Sequence, residues 1–224
     1  MHSVTIRPAA GPTRAVALVL HGGKEHSLAP VSPRDLSPRR MTPFAKDLHR
    51  HGSEHGLAVW QLLHAVRGWN GDQQSPVADA RAALEQVRAE HGDVPVVLVG
   101  HSMGGRTAAH VLDHPNVQAM VALAPWLTDD PVDGAAGKRI LVAHGDRDRI
   151  TSARKAFAWA DRARDAGATV TCASVAGAGH YLLRRIALWN DLTTGFALQS
   201  LGIPVEPSDE VREVLGATGA TVTV

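Results

Sequence analysis

The chain has 224 residues, enough for one ordinary globular domain that buries most of its unfolded surface. A hydrophobic fraction of 44% with 20% charged residues excludes an intrinsically disordered polymer. The formal net charge is +1 and arginines are scattered among acids, so nothing in the charge points to nucleic acid or an anionic membrane as partner.

In chain order, the N-terminal stretch MHSVTIRPAAGPTR has no apolar core of signal-peptide length, and no later run is long enough to span a bilayer. A cytoplasmic protein without a membrane partner is expected. Val4–Arg7 reads as an antiparallel edge strand and Ala15–Leu20 as the first buried strand. Lys24–Arg40, rich in Pro, Ser and charge, reads as a long surface loop. The Thr-Pro pair predicts a helix over Thr42–His55, followed by a strand at Leu57–Leu63. Ser75 as N-cap with Pro76 behind it starts a second helix, Ser75–His91. Further strands are expected at Val94–Val99, Val117–Leu123, Arg139–Ala143 and Ala168–Val175. Helices are expected at Met103–Leu112, Ser152–Ala166 and Tyr181–Gln199. After Gly202 only a short helix, Ser208–Leu215, is readable, and the last residues are assigned no packing.

The strand runs are short, rich in Val and Leu, and nearly free of charge, as in strands covered on both faces. Their alternation with helices predicts an α/β fold: a mostly parallel sheet of six to seven strands with helices on both faces. No repeat or linker divides residues 1–224, so a single domain is expected. Cys172, the only cysteine, excludes an intrachain disulfide.

The sharpest local signal is Gly100-His101-Ser102-Met103-Gly104, a G-x-S-x-G at a strand-to-helix junction. Such a turn holds its serine in a strained conformation with the hydroxyl projecting above the sheet. Side chains two residues to either side would collide, which accounts for Gly100 and Gly104. Two later strands end in His144-Gly145-Asp146-Arg147-Asp148 and Gly177-Ala178-Gly179-His180.

GHSMGG, HGDRD and GAGHYLL resemble the nucleophile, acid and histidine segments of the α/β-hydrolase superfamily, and the likeness runs from the first buried strand to the last helix. The chain is similar to its small members without a cap, because only the short Leu127–Gly137 connection stands where many relatives insert one. The resemblance implies Ser102 as nucleophile, His180 as general base, and an acid that orients the imidazole. That acid usually lies three residues after the glycine of the H-G segment, which favours Asp148; Asp146 is the competitor. Met103 N–H and Gly23 N–H, the latter from His21-Gly22-Gly23, are implied as oxyanion donors, although a glycine there also suits a simple tight turn.

The function so implied is hydrolysis of a small carboxylic ester or thioester through an acyl-enzyme, without cofactor. The same residues also serve acyltransferases and cofactor-free perhydrolases, and a non-catalytic binding protein could reuse the fold. Trp69 and Trp126, beyond strand ends, are candidates for a pocket wall or equally for the core edge. Trp159 and Trp189 are expected to pack, and His21, His101 and His144 to be structural. The histidines near residues 49–55 read as a solvated helix face rather than a metal site, and no metal is expected. With no cap, the site is expected to be open and shallow unless Lys24–Arg40 folds over it.

Overall fold

The computed structural model describes residues 1–217 and 219–224. Its eight strands among these residues are β1 Ser3–Arg7, β2 Ala15–Leu20, β3 Leu57–Leu63, β4 Val96–His101, β5 Val117–Leu123, β6 Arg139–Gly145, β7 Thr169–Val175 and β8 Thr221–Thr223. They form one sheet in the order β1-β3-β2-β4-β5-β6-β7-β8. β1 pairs antiparallel with β3 and every other pairing is parallel.

β2 shows how the sequence builds the layers. All six of its residues are buried, and successive side chains point to opposite faces. Ala15, Ala17 and Val19 pack with Met41, Phe44 and Leu48 of α1 (Leu36–Gly52) and with Trp189, Leu192 and Phe196 of α5 (Ile186–Ser200). Val16, Leu18 and Leu20 face Ala80 and Leu84 of α2 (Ser75–His91), Ala108 of α3 (Met103–Ala109), and Trp159 of α4 (Ala153–Asp165). Helices therefore cover both faces, and Trp159 and Trp189 pack as expected.

Several boundaries differ from the sequence reading. α1 begins at Leu36, after Asp35, so Thr42-Pro43 lies inside the helix and the preceding loop is shorter than Lys24–Arg40. Pro38 falls in the first turn, where no intrahelical N–H is needed; Pro43 does forfeit one, to the Arg39 carbonyl four residues back, and separately the Pro38 carbonyl accepts from Gln61 Nε2 at 2.8 Å. α3 stops at Ala109, and α5 starts at Ile186 rather than Tyr181 because Leu182 and Arg185 have φ of 57° and 58°. The tail packs: α6 (Asp209–Gly216) buries Val211 and Val214, and β8 extends the sheet beside β7.

From Ala124 to Lys138 the chain forms neither helix nor strand, so no cap stands between β5 and β6. The segment after β2 does not lie free as a flap. Lys24 and Glu25 pair with Arg67, Trp69 and Asn70 through backbone bonds of 2.7–2.9 Å, and this holds the segment as one wall of a groove. No helix among the described residues is long and apolar enough to cross a membrane.

Candidate active site

The strand order reverses around β2: the chain leaves it for β3 on one side and returns to β4 on the other. In parallel sheets, ligands bind beyond the carboxyl ends of strands at such a point. The loops after β2 and β4 meet there, and a Cβ on Gly22 would lie 3.3 Å from Ser102 Cβ.

Ser102 adopts φ 54° and ψ −117°, a conformation that L-residues rarely hold. Its N–H bonds Leu123 O at 3.1 Å, while its carbonyl accepts from Gly105, Arg106 and Trp126 N–H at 3.0–3.2 Å. Those four bonds over-determine the turn. The crowding is real on both sides: a Cβ on Gly104 would overlap the Leu20 carbonyl, and one on Gly100 would overlap the Gly104 carbonyl.

Ser102 Oγ lies 3.1 Å from His180 Nε2, and His180 Nδ1 lies 2.9 Å from Asp148 Oδ2. A carboxylate only accepts, so Nδ1 carries the proton and Nε2 presents its lone pair to the serine hydroxyl. Asp146 is turned away, and its Oδ1 accepts from Gly177 N–H at 2.7 Å across the neighbouring turn. Of the two acids, only Asp148 therefore touches the imidazole.

Asp148 is unusually well served. Its Oδ2 also accepts from Thr151 Oγ1 at 2.9 Å and His144 Nε2 at 3.1 Å. Its Oδ1 accepts from the Ile150 and Thr151 N–H groups at 2.8 and 3.0 Å. Burial alone would raise the carboxyl's pKa; donors from His144, His180 and the two amides outweigh it and hold the group far below the usual carboxylate range. Sequence reasoning missed Thr151, and no motif marks it: it reaches Asp148 because the 148–151 turn folds back on itself.

Two further buried histidines, His101 and His21, are held neutral. His101 Nε2–H donates to His180 O at 2.9 Å, and burial, then the adjacent His180, lowers the His101 pKa from 6.5 to about 3. His21 Nδ1–H donates to Gly22 O at 2.7 Å while its Nε2 accepts from His64 N–H at 3.2 Å. Burial, then His64, lowers His21 to about 3 as well. His21 thus braces the Gly22-Gly23 turn from below.

The N–H groups of Gly23 and Met103 have no backbone acceptor among the described residues, and the two residues touch: a Cβ on Gly23 would strike the Met103 side chain and the Arg67 carbonyl. Gly23 borders the groove, of ≈ 780 Å³, that contains Ser102 and His180, and Met103 directly follows Ser102 at the start of α3. Ser102 and His180 are 9% and 7% exposed, so the site is the floor of a groove and not the shallow open surface expected.

Trp69 and Trp126 do not line this groove. The Arg106 guanidinium sits in the corner between these two indoles, which are inclined at 73° to each other, at 4.2 and 4.5 Å from their ring centroids, and Arg106 Nε bonds Asp130 Oδ1 at 2.6 Å. Arg106, on α3, is directed away from the groove, and the two indoles close over it to clamp the 126–130 segment. Among the described residues, no group of three His, Cys, Asp or Glu side chains is placed to hold a metal ion.

Fold and loops together define an α/β hydrolase without a cap. The family described as serine aminopeptidase, S33, matches residues 11–139, more than half of the 224 residues, and the chain belongs to that family. The mouse (Mus musculus) monoglyceride lipase is 29% identical over 140 residues, covering 59% of this chain and 42% of the lipase. The chain thus spans less than half the length of that curated relative. Among solved structures, an α/β serine hydrolase without lid from Xanthomonas campestris superposes with a TM-score of 0.63 at 17% identity, over 92% of this chain and 91% of that one. A propionate-bound thermophilic esterase from Thermogutta terrifontis gives 0.68 at 18% identity, over 92% of both. At such identities the likeness is one of fold.

Proposed function

We propose that the protein is a serine hydrolase that cleaves small carboxylic esters or thioesters through an acyl-enzyme. The observation that carries this reading is the hydrogen-bonded line from Ser102 Oγ through His180 to Asp148, at 3.1 and 2.9 Å. In the first half-reaction His180 Nε2 takes the Ser102 hydroxyl proton as Oγ bonds the acyl carbon. The Gly23 and Met103 amides donate to the resulting oxyanion, and burial of Ser102 strengthens those bonds by excluding water. Collapse breaks the bond to the leaving oxygen or sulfur, which receives the proton from His180. In the second half-reaction water attacks the acyl carbon, its proton passes to His180, and collapse returns that proton to Ser102 Oγ as the acid departs. Asp148, held ionised, keeps the imidazole tautomer and stabilises its charged form.

The lipase and esterase found among the similar proteins favour an ester over an amide as substrate class. Treatment of folded protein with a fluorophosphonate tests the reading: label is expected on Ser102 and absent from Ser102→Ala. Ser102→Ala and His180→Ala are each expected to lower p-nitrophenyl ester turnover on the order of a thousandfold. Folded wild-type protein that neither takes up label nor turns over esters and thioesters of graded acyl length would overturn it.

A further inference from the structure

The groove above Ser102 carries more positive charge than its acids balance. Lys24, Arg40 and Arg67 all border it, with Asp35 as the acid on the same wall. Asp35 is taken, because Arg67 Nη2 lies 3.1 and 3.0 Å from its two oxygens. Among the described residues no acid lies within ion-pair distance of Arg40 or Lys24.

Arg40 is the telling one. Its Nη1 donates to the Tyr181 carbonyl, one residue from His180, and its guanidinium sits 4.8 Å from the Tyr181 ring centroid. The side chain is half-buried, and burial pulls its pKa below the ordinary value without bringing it near neutrality. A guanidinium has five N–H donors, and a carbonyl plus an aromatic face leave its charge uncompensated. Helix stability does not explain it either, since Arg40 lies near the positive N-terminal end of α1, where cations are disfavoured. Around these cations the groove offers apolar surface: Leu36, Ile150, Tyr181 and Leu183 are 53–73% exposed at its rim.

We propose that the substrates are esters that also carry a carboxylate, seated against Arg40 with Lys24 in support, with the apolar part of the molecule on the Leu36, Ile150 and Leu183 rim. A planar guanidinium suits a carboxylate, which it can hold by two parallel N–H bonds. The inference rests on the hydrolase reading and names the substrate class of that same site.

Paired substrates test it. On the acyl side, p-nitrophenyl hydrogen glutarate is compared with p-nitrophenyl valerate; on the alcohol side, 3-(butyryloxy)propanoate with its methyl ester. In at least one pair the carboxylate member is expected to win by about tenfold or more in kcat/KM at low salt, and the advantage should shrink as salt rises. Arg40→Gln should collapse that ratio, Arg40→Lys should restore part of it, and Lys24→Gln should reduce it. The ratio separates recognition from a merely structural role, because a slackened Tyr181 loop would slow both members alike. Lys24→Gln and the salt series apply to an unperturbed loop, so the test survives a badly folded Arg40 variant. Brisk turnover of neutral esters with no carboxylate preference in either pair, or a preference that persists in both Arg40→Gln and Lys24→Gln, overturns the inference and leaves the hydrolase reading standing. Failure of every ester together with absence of fluorophosphonate label overturns both.

Discussion

Asp146 and Asp148 differ by two positions and carry different loads. Asp148 gathers donors from two histidines, a threonine hydroxyl and two amides, whereas Asp146 ties down the Gly177 turn. Asp148→Asn should therefore lower ester turnover by about a thousandfold, because an amide at Oδ2 cannot accept from His180 Nδ1 without flipping. Asp146→Asn should cost no more than about threefold, since its amide oxygen still accepts from Gly177 N–H. Steady-state rates of the two variants decide the matter, and a greater loss at Asp146 would reverse the assignment. The segment HGDRD leaves that choice open because two carboxylates on one loop look alike until the turn around Thr151 takes shape. Ser102 and His180 were legible because each stands in a glycine-framed segment at a strand end. Thr151 was not, because its role depends on distances within a turn and not on a pattern.

At the level of elements, the close seating of α3 on β2 is what the glycines permit. A Cβ on Gly104 would lie 2.3 Å from Leu20 O and 2.8 Å from His21 O, both backbone atoms that cannot rotate away. Gly104→Ala should shift α3, move the Met103 N–H off its aim, and destabilise the fold by about 1–3 kcal/mol. Gly11→Ala, where a Cβ meets nothing within 4 Å, is the matched control. Denaturation midpoints and ester rates measured together check both parts; a wild-type rate in Gly104→Ala would contradict the close-approach account. The elements misplaced by sequence reasoning share a cause. Thr42-Pro43 looked like a helix start because local signals cannot show that α1 gains enough from Met41, Phe44 and Leu48 against the sheet to carry a proline inside it. Trp69 and Trp126 sit at strand ends as expected, yet turn towards Arg106, a partner that strand position does not reveal.

For the whole molecule, buried titratable groups make acid the weak flank. His21 and His101 have pKa values of about 3 against an ordinary 6.5, so the unfolded chain binds protons that the folded one refuses between those limits. Their contribution to stability is complete above about pH 6.5 and drains away as pH falls towards 3. Asp130 follows the same sign lower down: burial would raise it, but bonds from His110, the Thr128 amide and Arg106 hold it at about 2 against 3.8. Its contribution is lost between those values. Urea midpoints should thus fall steadily from about pH 6.5 to about pH 4, before most carboxylates titrate, and a flat profile over that range would show that the histidines are not held neutral.

The sequence alone determined the layered α/β class, the place of the strained serine and the lack of a cap, because these follow from local rules: apolar runs of strand length, glycines that permit a sharp turn, and too few residues between β5 and β6. Only the tertiary structure decided which aspartate meets His180, that the serine lies on a groove floor, that β8 extends the sheet beside β7, and that Arg40 faces the groove with no acid among the described residues within ion-pair distance. Each of these depends on residues far apart in the chain arriving within a few ångströms of one another, and no periodicity or spacing encodes that meeting. Ser102, marked by its motif, gains its chemical surroundings from β2, β6 and β7, whose loops converge only once the sheet is assembled.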